Sequence, residues 1–333
     1  MTILVTGGAG YVGSHVVAAL VALDQRVVVL DRLHPGRATA VPEGTPLVVG
    51  DIRDEGLIRR ILRDHRVEAV IHMAAQKSVS ASMREPGVTY STNVGGTLAL
   101  LDAMVGEGVD RLVFSSTCAV YGTPSSLPVD ELTPIRPENP YGDSKAQAES
   151  IIRWYGDIHG IRSASLRYFN AAGADPDRGL GEPWESVENL IPRVLRSAAD
   201  GTPIHVYGTD YPTPDGTAVR DYIHVADLAD AHLGALQYLA GGGVPVTLNL
   251  GTGLGASVGQ VLAAARLVTG RRIDAVDAPR RPGDPAAVWA DARRAAQILG
   301  WHALRPLEEM LVDAWRWHTQ GSGAIPERIA VAR

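Results

Sequence analysis

The chain has 333 residues, of which 45% are hydrophobic and 20% charged, with a net charge of −6. That is the make-up of a globular protein of one large or two modest domains. The acidic balance excludes a general binder of nucleic acid or of an anionic membrane surface, although cations gathered locally can still hold a small anion.

The lone cysteine, Cys118, excludes an intrachain disulfide and a cysteine-based zinc site, and no cluster of ligands with metal spacing occurs. No run reaches the roughly 18 apolar residues of a membrane span. The amino terminus lacks the basic region and small-residue cleavage site of a signal peptide. The expected compartment is the cytoplasm, with no nucleic acid, membrane or metal as partner.

Short Val-, Ile- and Leu-rich runs, each closed by a turn or helix signal, predict strands buried on both faces at 3–5, 27–30, 47–49, 69–72 and 112–114. Weaker candidates lie at 164–166 and 247–250. Between them, helical periodicity spans 11–23, 57–64, 89–105 and 141–159. Alternation of this kind predicts a Rossmann-like doubly wound α/β fold with a parallel sheet. After about residue 170 the texture changes. Residues 173–185 and 208–216 are rich in Gly, Pro and Asp and predict loops, and helical patterns return near Ile191, Ala226, Ser257, Asp291 and Leu307. The expected division is a dinucleotide-binding domain over 1–170, with 218–250 returning to it, and a smaller mixed α/β substrate domain over 171–217 and 251–333.

Gly7-Gly8-Ala9-Gly10-Tyr11-Val12-Gly13 follows the first strand and opens the first helix. The glycines permit a tight turn, and the helix start offers free N–H groups to a pyrophosphate. The spacing is Gly-x-x-Gly-x-x-Gly, which by itself also suits simple packing. Asp31 ends the second strand, where a carboxylate accepts the adenosine-ribose hydroxyls and repels a 2′-phosphate, so NAD is the expected cofactor. Arg32 follows and would welcome that phosphate. Asp51 is placed either to reach the adenine amino group or to cap the turn ahead of Ile52 and Arg53.

Only two lysines occur, Lys77 and Lys145, so 29 of the 31 basic residues are arginine. A lysine kept in such a chain points to a place where a compact ammonium is required. Asn139-Pro140 predicts a helix start, which puts Tyr141 and Lys145 on one helical face. A tyrosine with an ordinary pKa of about 10 is too weak an acid to serve as a base near neutrality. A cation at ~4 Å in an effective dielectric of 20 contributes about 4 kcal/mol, or about three pKa units. The positive ring of oxidised nicotinamide would add to that. Upstream, the fifth strand runs into Ser115-Ser116-Thr117 at the carboxyl end of a parallel strand, where such sheets bind ligands. Thr117 is a candidate to relay a proton to Tyr141, and Ser115 and Ser116 compete for that role on chemistry alone. Cys118 is taken as a packing residue.

The set Gly7-x-x-Gly10-x-x-Gly13, Thr117 and Tyr141-x-x-x-Lys145 resembles the extended short-chain dehydrogenase/reductase family. Residues 211–225 (YPTPDGTAVRDYIHV), 167–170 (RYFN) and 280–284 (RRPGD) narrow the likeness to UDP-glucose 4-epimerases, over nearly the whole chain. The resemblance implies an NAD site lined by Gly7, Gly10, Tyr11, Val12, Gly13, Asp31, Arg32, Asp51, Ile52, Met73, Ala74, Ala75, Lys77, Asn93, Ser115, Tyr141, Lys145 and Tyr168. It implies a UDP-sugar site formed by Lys77, Thr117, Tyr141, Asn170, Asn189, Leu190, Val206, Tyr207, Arg220, Arg281, Asp284 and Val288. Arg220 and Arg281 suit a diphosphate, Tyr207 a uracil face, and Asp284 the uridine ribose. Without the family, Arg220-Asp221 would be a local ion pair and Tyr207 a core aromatic.

The implied reaction inverts C4 of a UDP-hexose through a 4-keto intermediate, with Thr117, Tyr141 and Lys145 as the catalytic set. Valine at 288 suggests room for an N-acetyl group, unless it merely packs. UDP-glucuronate and pentose epimers are alternatives, and so is 4,6-dehydration, which needs an Asp-Glu pair where this chain has Cys118-Ala119. A homodimer paired through the helices at 89–105 and 141–159 is expected, although Leu98, Leu101 and Val105 could equally face the core. The histidines, His224 included, are read as structural.

Overall fold

In the computed structural model, which describes residues 1–184, 187–281 and 284–320, seven parallel strands form the main sheet. Their order is β10 (Val246–Leu250), β6 (Arg162–Tyr168), β5 (Arg111–Thr117), β4 (Ala69–His72), β1 (Thr2–Thr6), β2 (Arg26–Asp31) and β3 (Leu47–Val49). Every side chain of β1 and β4 is buried. Alternation along β1 sends Ile3 and Val5 toward α1 (Tyr11–Ala22) and α8 (Val225–Ala240). Leu4 faces the opposite way, toward α2 (Glu55–Asp64), α5 (Gly96–Glu107) and α6 (Pro140–His159). A parallel strand covered on both faces has no polar side, which is why it reads as a continuous apolar run. β3 departs from the expectation of burial on both faces. It is an edge strand paired only with β2, and Val49 is largely exposed.

The expected helix over 89–105 is present but carries a π-helical turn within it. α3 (Val79–Arg84) and α4 (Pro86–Tyr90) precede a π-helical turn over Ser91–Gly95, and only then does α5 begin. The wider turn carries Asn93, whose side-chain oxygen accepts from the Gln76 N–H at 2.7 Å and whose amide donates to Ser144 Oγ at 2.9 Å. Such turns recur beside ligand sites because they re-aim one side chain without ending the helix.

A second body forms around β7 (Asn170–Ala172), β9 (Val219–His224), β11 (Gly255–Ser257) and β13 (Ala287–Val288). A further pair, β8 (Ile204–Tyr207) with β12 (Ala275–Ala278), joins α7 (Leu190–Asp200), α9 (Val258–Thr269) and α11 (Leu307–Gln320) around its own apolar core. The chain therefore returns to the main sheet at α8, not at residue 218, because β9 pairs with β7, β11 and β13. α10 (Arg293–Leu299) packs on α8 and β10, so part of the 251–333 segment belongs with the larger core. Of the expected segments, Glu185 in the 173–185 loop, Pro282 and Gly283 in the 280–284 motif, and residues 321–333 lie outside the described residues. Among the described residues no helix is long and apolar enough to cross a membrane.

Five histidines, His15, His72, His224, His232 and His318, are buried. Burial pulls His15 and His232 down to about 4 and His72, His224 and His318 down to about 3. Between pH 6.5 and 4 the unfolded chain holds protons that the fold excludes, so stability falls as pH drops through that window. Each such histidine costs about 1.4 kcal/mol per pH unit. The urea midpoint is expected to fall steeply from pH 7 to pH 5, with several protons taken up on unfolding. A midpoint constant over that range would contradict buried neutral imidazoles.

Candidate active site

The strand order turns at β1 and β4, and a crevice opens outside their carboxyl ends, as doubly wound sheets dictate. Gly7 has φ +73°, and a Cβ there would lie 2.7 Å from the Ala74 nitrogen. A Cβ at Gly13 would lie 2.1 Å from the Gly7 carbonyl. Gly10 caps α1 in an extended conformation with no side-chain cap, so the first-turn N–H groups stay available for an anion. Asp31 holds this loop against the sheet. Its oxygens accept from Ala9 N at 3.0 Å and Leu33 N at 2.8 Å, and each keeps lone-pair capacity for a hydroxyl donor.

Arg32 donates to the His34 carbonyl at 3.0 Å. Asp51 faces the crevice but is held by Arg53 at 2.6 Å, and that guanidinium keeps its carboxyl below the usual range. Asp51 also caps the turn ahead of the helix, accepting from the Arg53 N–H at 2.9 Å, whereas the helix itself is capped by Asp54.

The crevice is a cavity of about 440 Å³. Sixteen of the eighteen expected cofactor residues line it: Gly7, Gly10, Tyr11, Val12, Gly13, Asp31, Arg32, Asp51, Ile52, Met73, Ala74, Ala75, Lys77, Tyr141, Lys145 and Tyr168. Asn93 stands one layer behind, holding Gln76. Ser115 is also behind the wall, with its hydroxyl on His232 Nε2 at 2.9 Å. The glycine cradle, the open helix start and the carboxylate at the end of β2 fit a dinucleotide.

At the inner end of the crevice Asn139 caps α6 through Gly142 N at 2.8 Å, which sets Tyr141 and Lys145 in its first turns. Thr117 alone of the three hydroxyls is hydrogen-bonded to Tyr141. Ser116 is taken by Glu149, and Ser115 by His232. The expected depression of Tyr141 by Lys145 is not what these side chains produce. Burial pushes the phenol well above 10, Tyr168 pushes the same way, and the Thr117 hydrogen bond opposes them. Lys145 is itself buried, which pulls it down to about 7, with Glu149 opposing. Its ammonium donates to the Ser115 carbonyl at 2.8 Å.

A second cavity, of about 200 Å³, lies in the smaller body. Asn170, Asn189, Leu190, Val206, Tyr207, Arg220, Arg281 and Asp284 all line it. Arg220 and Asp221 are not an ion pair. Strand alternation sends Asp221 inward to Thr252, Gly253 and Ala290, while Arg220 faces the cavity 3.6 Å from Asp284. Tyr207 is not a core aromatic, since the Arg281 guanidinium lies 3.8 Å from its ring centroid. Val288 is buried beside Val120, Tyr121 and Phe169, away from the lining of either cavity.

Sequence reasoning passed over four residues here. Gln76 lines the first cavity, and Glu188 lines both. Arg193 lines the second, and its spacing of four from Asn189 on α7 was an available signal. Glu182 is 5% exposed and touches Lys77 and Asn189, and nothing local in the sequence marks it.

The family described as NAD dependent epimerase/dehydratase matches residues 3–251. The UDP-glucose 4-epimerase of Lacticaseibacillus casei is 43% identical over 320 residues, covering 96% of this chain and 97% of that protein. Among solved structures, UDP-glucose 4-epimerase from Brucella ovis in complex with NAD is 42% identical, with a TM-score of 0.91 over 94% of this chain and 97% of that one. The Bifidobacterium longum enzyme in complex with NAD+ and UDP is 38% identical, with a TM-score of 0.91 over 97% and 99%.

Proposed function

Because the chain belongs to the NAD dependent epimerase/dehydratase family, we propose that it interconverts UDP-galactose and UDP-glucose by inverting C4, with NAD as a resident cofactor. The observation that carries this reading is the Thr117–Tyr141 hydroxyl pair at the carboxyl end of a central strand. Tyr141 reaches into the dinucleotide crevice, and a second cavity with three guanidiniums adjoins it. When bound, the nicotinamide would take a hydride from C4 and give it back to the opposite face. The chain's own part is to hold and move a proton. Tyr141, through Thr117, takes the proton of the 4-hydroxyl and later returns it. Arg220, Arg281 and Arg193 hold the diphosphate and uridine end firmly, which leaves the sugar free to turn over.

A 4,6-dehydratase is disfavoured because Cys118 and Ala119 stand where elimination needs an acid–base pair. Burial pushes the Cys118 thiol up to about 12. We extend the proposal to UDP-N-acetylglucosamine on the small side chain of Val288, which lines neither cavity but belongs to the apolar cluster that Cys118, next to Thr117, packs against. A homodimer is supported by the apolar face that α5 and α6 present. Leu98, Val105, Trp154 and Ile158 on these helices are exposed, while Leu101 faces inward. The cytoplasm is supported by the free Cys118.

The deciding experiment incubates the purified protein with UDP-galactose and no added NAD. UDP-glucose is expected, with no net NADH, and the N-acetyl pair is expected to interconvert in a parallel reaction. Accumulated NADH, a 4-keto-6-deoxy product, or no conversion by dinucleotide-loaded protein would each overturn the reading. Light scattering on the same sample is expected to give twice the 35.3 kDa chain mass.

A further inference from the structure

Glu182 lies between the two cavities without lining either. It is 5% exposed, so its carboxylate is kept only by what it bonds. One partner is Lys77, whose ammonium is 3.0 Å from Oε1 and which lines the dinucleotide crevice. The other is Asn189, whose amide donates to Oε1 at 3.2 Å and Oε2 at 3.1 Å and which lines the second cavity. Lys77 also stands 6.0 Å from the Tyr11 ring centroid, and Tyr11, another crevice residue, donates to the Gly173 carbonyl at 2.7 Å. The same two segments meet a second time where Ser78 donates to Glu188 at 2.7 Å.

Two independent contacts therefore tie the loop after β4 to the segment leading into α7, and the buried one ends on a residue of each cavity. We propose that Glu182 is a positioning residue shared by both sites, through which occupancy of the UDP cavity holds the dinucleotide in its crevice. The physical argument is that Glu182 is one body with two arms. Asn189 engaged by a ligand fixes the carboxylate, and a fixed carboxylate fixes Lys77 over the crevice. Without it, Lys77, half exposed, has the freedom of an ordinary surface lysine. The two sites are then coupled in binding free energy, and the coupling is reciprocal.

The proposal rests on the functional reading above, but its test uses no turnover, so the two fail separately. The holoprotein is dialysed with and without saturating UDP, and the dinucleotide left per chain is measured after denaturation. In the unaltered protein UDP is expected to slow dinucleotide loss. Glu182→Gln, which keeps the shape and removes the charge, is expected to speed the loss about 10-fold and to make it indifferent to UDP. Loss that is unchanged and still slowed by UDP overturns the proposal. Should Glu182→Gln not fold, Asn189→Leu cuts one arm and leaves the Lys77–Glu182 pair intact. Saturating UDP is then expected to give no protection, and full protection overturns the proposal.

Discussion

Replacing Tyr141 with phenylalanine is expected to lower kcat for UDP-galactose by about 10³-fold, within the range expected for loss of a positioned acid–base group, and to leave dinucleotide content and UDP affinity unchanged. The hydroxyl is the one atom removed, and among the catalytic candidates it is the atom that meets Thr117. Burial holds the phenol neutral at pH 7 in the chain by itself. Charge must therefore be drawn out of it by a cation that arrives with the ligands, which confines its use as a base to the assembled complex. Stability is expected to change little, because phenylalanine fills the same space. A variant that keeps more than a tenth of the activity would remove Tyr141 from the proton path and return the role to Thr117 or a bound water.

The second large effect is a gain. Lys145→Met is expected to abolish measurable turnover while stabilising the fold. Lys145 falls from 10.5 to about 7 in the folded chain, chiefly by burial. Between pH 7 and 10.5 the unfolded chain binds a proton that the fold does not, so this group makes stability rise with pH across that window. At pH 7 the deficit is about 5 kcal/mol, at 1.36 kcal/mol per pKa unit. Removing the ammonium deprives the Ser115 carbonyl of a donor, at about 1–3 kcal/mol, which leaves a net gain of roughly 2–4 kcal/mol. Urea unfolding at pH 7 and pH 10 tests this. The advantage of the methionine variant is expected to shrink at the higher pH, and an advantage independent of pH would contradict the assignment. Lys145→Arg is expected to be less stable than either, since a larger, permanently charged group must then be buried. A fully active Lys145→Arg would make the scarcity of lysine in this chain a coincidence.

Together the two variants separate what the pair does. On the proposed mechanism Tyr141 carries the proton at little cost to the fold, whereas Lys145 is kept at a cost that only function explains. The chain spends two lysines in 333 residues, and both touch the dinucleotide crevice.

Strands, helices and the glycine cradle were legible because each is written in contiguous residues. β1 reads as an apolar run because both its faces are covered, and Gly7 and Gly13 must be glycine because backbone atoms occupy the space of a Cβ. The Tyr141–Lys145 pair was legible for the same reason, since four residues on a capped helix share a face wherever that helix lies. Of the residues that motif likeness assigned to the cofactor, all but Asn93 and Ser115 line the crevice. Less legible was anything set by distance along the chain. The π-turn at Ser91–Gly95 interrupts the α pattern of what reads as one helix, and it carries Asn93, which accepts from the Gln76 N–H. β9 follows its pairing partners into the smaller sheet, so the return to the main sheet starts later than composition suggested.

The acid–base balance of the site belongs entirely to the folded structure. Spacing alone made Lys145 the cation that lowers Tyr141. Burial, which spacing does not encode, raises one and lowers the other. Lys77 meets Glu182 across 105 residues of chain, and no local pattern reports such a meeting. Local chemistry thus determined which elements form and which residue types they carry. Only the packed chain decided which of those residues share a low-dielectric space, and so which proton sits where.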